Sequence, residues 1–81
     1  MNVKKYKLYS SEGCHLCEQA FALCQQVGIA EQVELIDIVE DEKLVELYGV
    51  AIPVLENTEN NIEKNNKLFW PFDREQIENL K

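Results

Sequence analysis

Apolar and polar positions alternate over residues 4–10, with Tyr6 and Leu8 on one face and Lys5 and Lys7 on the other. A period of two suits a half-buried strand, and Ser10, Ser11 and Gly13 then break the run. The period lengthens after Cys14. At about 100° per residue, Cys17, Ala20, Phe21, Cys24, Val27 and Gly28 fall on one side, while Glu18, Gln19, Gln25 and Gln26 point away. An amphipathic helix is predicted over residues 14–27, with Gly28 suited to its C-terminal cap. Residues 33–38, rich in β-branched side chains, read as a second strand. The helix and short turn between the two strands form a crossover long enough for them to run parallel.

Glu40, Asp41 and Glu42 place negative charge in the first turn of a second helix. Leu44, Leu47 and Tyr48 give it an apolar face, and Gly49 ends it. Ile52-Pro53 cannot prolong that helix, because proline lacks the N–H and drives the preceding residue out of the α region. Val54 and Leu55 then read as a short strand. Residues 57–66 are almost wholly polar and are expected to connect, as a hairpin, to a last strand at residues 67–70. Asp73, with Gln76 three residues on, has the form of a capping box for a final helix, and Phe72 with Ile77 would staple its entry. The predicted order is βαβαββα, an α/β chain.

Composition adds limits. The 81 residues, 46% of them hydrophobic, are expected to form a single domain spanning residues 1–81. Eight Lys+Arg against 15 Asp+Glu give a net charge of -7. Phosphate backbones and anionic lipid headgroups are bound by cations, so neither nucleic acid nor a membrane is an expected partner. No apolar stretch approaches the ~18 residues of a membrane span, and the basic start at Lys4 and Lys5 is not followed by a signal-peptide core. A cytoplasmic location is expected. Three cysteines crowded into one segment, Cys14, Cys17 and Cys24, agree with it and do not resemble a secreted disulfide framework.

Cysteines at i and i+3 on a first helical turn bring their sulfurs within reach of a reversible disulfide. Unpaired N–H groups and the positive dipole end stabilise a thiolate there, so Cys14 is the expected nucleophile. Cys17, one turn further in and on the apolar stripe, is sheltered and is the expected resolving thiol. His15 between them is a candidate modulator of the Cys14 thiolate, opposed by the negative charges of Glu12 and Glu18. Cys24 belongs to the buried stripe and is read as structural. A C-x-x-C pair is also half of a zinc site, but closing it would need two more ligands, and His15 and Cys24 are the residues left. Haem attachment requires His after the second cysteine, where this chain has Glu18.

With Cys14-His15-Leu16-Cys17 after a strand, Ile52-Pro53 after a second helix and a closing ββα, nearly the whole chain resembles the thioredoxin-fold oxidoreductases, specifically the short glutaredoxin-like proteins. Leu68-Phe69-Trp70-Pro71-Phe72-Asp73 resembles the ending of a small bacterial subgroup of them. The resemblance implies a thioredoxin-like fold: a four-stranded mixed sheet in the order second, first, third, fourth, helices on both faces, and the last two strands antiparallel to the first pair. It implies a cis bond before Pro53, and substrate contact through Ile52, Pro53 and Trp70.

The implied activity is thiol–disulfide exchange with protein or small-molecule disulfides, by a monomer without a tightly bound cofactor or metal. Glutathione is implied as a co-substrate, and the reductant as glutathione or a system of thioredoxin-reductase type. The chain departs from the family pattern at three glutathione contacts: no glycine follows Gly49, Ser11 stands where a lysine is usual, and Leu16 replaces an aromatic residue. Two other readings stay open on sequence. One is a non-catalytic binding module that uses the Pro53 and Trp70 side, and the other is a zinc or iron–sulfur protein ligated through Cys14.

Overall fold

The computed structural model describes residues 4–58 and 66–80. Four strands and three α-helices follow one another as β1 (Tyr6–Ser10), α1 (His15–Val27), β2 (Val33–Asp37), α2 (Glu42–Tyr48), β3 (Val54–Asn57), β4 (Lys67–Phe69) and α3 (Arg74–Leu80). Single 3₁₀ turns at Ala30–Gln32 and Ile38–Glu40 flank β2, where the sequence predicts only a turn before it and the second helix after it. Glu40 ends the second of these turns, and α2 starts after Asp41, whose carboxylate accepts from the Lys43 N–H at 2.9 Å.

Among the described residues the sheet has the order β2-β1-β3-β4. β1 and β2 are parallel, in the register Leu8 to Leu35, as a helical crossover dictates. β3 is antiparallel to β1, and β4 is antiparallel to β3. β4 therefore runs in the same direction as β1, which corrects the expectation that both closing strands oppose the first pair. Adjacent antiparallel neighbours reverse direction at each step, so two such steps restore it. The turn expected between β3 and β4 falls on residues 59–65, which lie outside the described residues.

Each face of the sheet has its own core, because neighbouring side chains on a strand point to opposite sides. Tyr6, Leu8, Val33 and Leu55 meet Ala20 and Cys24 of α1 and Ile77 and Leu80 of α3. On the other face Tyr9 and Val54 pack against Ile38 and Tyr48, with Leu44 and Ile52 at the margin. Leu47, expected on the apolar face of α2, is instead 69% exposed. Buried Tyr48 and half-buried Leu44 are four residues apart and fix the face, and Leu47 falls beside it.

The helix ends follow local chemistry. Gly28 adopts φ 90°, its N–H donates to the carbonyls of Cys24 and Gln25, and the Ile29 N–H also reaches the Cys24 carbonyl. Asp73 and Gln76 exchange hydrogen bonds at α3, Gln76 N–H to Asp73 Oδ1 at 2.9 Å and Asp73 N–H to Gln76 Oε1 at 3.0 Å. That is the capping box read from the sequence, and Phe72 and Ile77 are both buried in the first core as its staple requires. No helix among the described residues is long and apolar enough to cross a membrane.

Candidate active site

The carboxyl end of β1 delivers the chain into a tight turn, Ser11 to Cys14, closed by the Cys14 N–H on the Ser11 carbonyl at 3.3 Å. Gly13 holds φ 79° there, a left-handed value that a side chain would oppose. Cys14, the predicted first residue of the helix, thus arrives as the N-cap of α1, which begins one residue later at His15, with extended backbone at φ -84°. Its Sγ accepts from the Cys17 N–H at 3.1 Å and is bonded to the Sγ of Cys17, with 5.2 Å between the Cα atoms. Cys14 is half-buried, whereas Cys17 is 6% exposed. The two thiols are therefore unequal: one borders solvent at a helix N-terminus and the other is screened behind it.

Cys24 takes no part in the pair. It is fully buried in the first core, and burial pushes its thiol up to about 11. His15 is almost fully exposed and points along the helix to Glu18, with Nδ1 3.7 Å from Oε2. Its contact in this structure is that carboxylate rather than Cys14. Among the described residues no three His, Cys, Asp or Glu side chains gather as a metal ion would need.

The bond between Ile52 and Pro53 is cis, and so is that between Trp70 and Pro71, which the sequence does not signal. The register Tyr9 to Val54 puts Pro53 at the end of the sheet where β1 leads into the Cys14 turn. The Trp70 N–H donates to the Pro53 carbonyl at 3.2 Å, so these two candidates are joined through the backbone. Their side chains are not laid open. Pro53 is fully buried, and Trp70 packs on the first core with its ring edge-on to Phe72 at 5.2 Å. The Ile52 N–H is engaged by the Tyr48 carbonyl at 3.1 Å.

A cleft of about 260 Å³ opens beside Cys14 on the β2 side, lined by Ser10, Ser11, Gly13, Cys14, Cys17, Glu18, Phe21 and Leu35. Leu35 was not foreseeable as a site residue, because an apolar residue in a β-branched strand reads as core. β2 turns out to be an edge strand that α1 covers only in part, which leaves Leu35 57% exposed. Phe21, expected in the buried stripe, is half-buried and forms the opposite wall.

The glutaredoxin-like domain model (DUF836) matches residues 5–80 of this sequence. The chain belongs to the glutaredoxin-like family. An X-ray structure of target protein XcR50 from X. campestris is similar to it at 32% identity, with a TM-score of 0.74 over 89% of this chain and 88% of that one. No curated protein matches. Within this glutaredoxin-like domain the Cys14–Cys17 pair is compatible with a redox function, and the α/β architecture with its mixed sheet is that of a thioredoxin-like fold.

Proposed function

We propose that this protein is a cytoplasmic thiol–disulfide oxidoreductase. The observation that carries the reading is the bonded pair at the start of α1, with a half-exposed Cys14 held by the Cys17 N–H and a screened Cys17 one turn on. In the reduced protein the Cys14 thiolate attacks a substrate disulfide, forming a Cys14–substrate disulfide and releasing one substrate thiolate. The helix N-terminus and the Cys17 N–H stabilise the attacking anion. Cys17 then gives up its proton to solvent and attacks the Cys14 sulfur, releasing the second substrate thiolate and leaving the Cys14–Cys17 disulfide. Two electrons pass to the substrate. A thiol donor, glutathione or a dithiol system of thioredoxin-reductase type, returns them.

Ile52 and Pro53 serve the same step from the β3 side. The N–H of Ile52 is taken, so its carbonyl is the backbone group offered to a substrate lying across the cysteines. Trp70 supports Pro53 from behind and is assigned no direct contact. His15 modulates the site through Glu18, whose charge it offsets when protonated.

Trapping separates the two cysteines. Cys17→Ser should accumulate a stable one-to-one mixed disulfide on Cys14 when mixed with a small disulfide, visible by mass. Cys14→Ser should form none under the same conditions, since Cys17 is shielded. An adduct on Cys14→Ser equal to that on Cys17→Ser would reverse or erase the assigned roles, and no adduct on either would end the oxidoreductase reading.

A further inference from the structure

The cleft beside Cys14 is walled by Phe21 and Leu35 and rimmed by Glu18. At about 260 Å³ the cleft lies near the lower end of small-molecule sites, with room for an apolar side chain between its two walls. No Lys, Arg or His lines it among the described residues. Glu12 lies in the turn between two lining residues, and Asp37 is paired in register with Ser10, another of them. His15 meets Glu18 from outside the cleft, Nδ1 to Oε2 at 3.7 Å, and the lysines lie away from it. Lys4 and Lys5 precede β1 and Lys7 lies within it, in register with Glu34 and Glu56, which leaves these cations about 10 to 20 Å from Ser10 at the usual strand rise.

We infer that the substrate is a peptide or protein disulfide whose cysteine is preceded by an apolar residue and a lysine or arginine. The apolar residue fills the space between Phe21 and Leu35, and the cation meets Glu18 at the rim. The inference rests on the oxidoreductase reading and adds the partner's chemistry to it. Leu35 and Phe21 are on the β2 side of β1 and Pro53 is on the β3 side, so a chain crossing Cys14 has a contact on each flank of its cysteine. Glutathione has no apolar residue, and its two carboxylates outweigh its one ammonium, so it approaches the carboxylates of the site as an anion. The exchange itself is unchanged: the Cys14 thiolate displaces one peptide thiolate, and Cys17 displaces the other.

The test is the rate at which the reduced protein reacts with symmetric disulfides of three capped tetrapeptides, with oxidised glutathione, and with the neutral linear disulfide of 2-mercaptoethanol. The first peptide carries lysine, leucine, cysteine, glycine; the second replaces lysine by glutamate, and the third replaces leucine by glycine. At low salt the first should react about fivefold faster than the second and third, the scale of one exposed charge or apolar contact, and faster than oxidised glutathione. The lysine-to-glutamate ratio should shrink with added salt, which screens such charges beyond ~5 Å at ~0.5 M. Glu18→Gln should lower that ratio, and Leu35→Ser should lower the leucine-to-glycine ratio.

Equal rates for the three peptides, or oxidised glutathione reacting as fast as the first, would overturn the inference. Peptides that all fail while the neutral disulfide reacts would overturn it and leave the oxidoreductase reading standing. An inert neutral disulfide as well would remove both.

Discussion

Three cysteines of one segment have three environments, and the disulfide separates the two buried ones. Cys17 is 6% exposed and bonded to Cys14, while Cys24 is wholly enclosed between α1 and the sheet. Its thiol, pushed from 9.0 up to about 11 by desolvation, has a folded pKa above the unfolded one. The stability it contributes is therefore complete below pH 9 and is lost as pH rises towards 11. Urea unfolding at several pH values, with the disulfide intact, should show this loss as on the order of 2 to 3 kcal/mol, and Cys24→Ala should be flatter over the same window. Parallel curves for the two proteins would contradict it. Tyr9 is also raised, by burial first and by its 2.7 Å hydrogen bond to Glu56 second, but both proteins share it.

These placements were legible because each has a local signature: spacing for the pairing of Cys14 with Cys17, and the helical stripe for the burial of Cys24. Leu35 had none. Whether a strand is an edge is decided by which segments pair with it, and no window of the sequence around Leu35 carries that.

Helix α3 has seven residues, too few to stand without help from its ends and its packing. Both supports are visible. The capping box closes its start, and at its end the buried Asn57 donates through Nδ2 to the Leu80 carbonyl at 2.8 Å. Asp73→Ala should cost about 1 kcal/mol. Asn57→Ala should cost about 1 to 3 kcal/mol, because the acceptor it leaves is buried. Chemical denaturation of both variants checks the order, and a larger loss at Asp73 than at Asn57 would contradict the placement of Asn57 as the inner tie.

The cap was readable from Asp73 and Gln76 because it is made within four residues. Asn57 was placed in a polar connection, since polarity argues for a loop, but it ends β3 in register with Tyr6. A buried asparagine whose partner lies at the far end of another helix gives no local sign of burial. The same holds for the start of α2, where Asp37 and Asp41 each cap the turn that follows and split one acidic run between two short helices.

At the scale of the molecule, the order of elements and the two-sided packing follow from periodicity and crossover rules, so the βαβαββα sequence reads directly into the fold. The direction of β4 follows only from the two antiparallel steps together, β1 to β3 and β3 to β4, and no single element carries it. At the amino end of the sheet Lys7 stands in register between Glu34 and Glu56, whereas Asp37 stands beside Ser10 next to the Cys14 turn, a placement that the net value of -7 does not carry.

The central claim is that Cys14 and Cys17 form one reversible two-electron couple. Mass spectrometry of alkylated protein, equilibrated across a series of glutathione redox buffers without metal, reads it directly and distinguishes an internal disulfide from a glutathione adduct. The account predicts a single transition to the Cys14–Cys17 disulfide, with a midpoint between about −120 and −270 mV, Cys24 unmodified throughout, and little adduct on Cys14. Two free thiols at every buffer composition, or alkylation of Cys24 in step with Cys14, would contradict it.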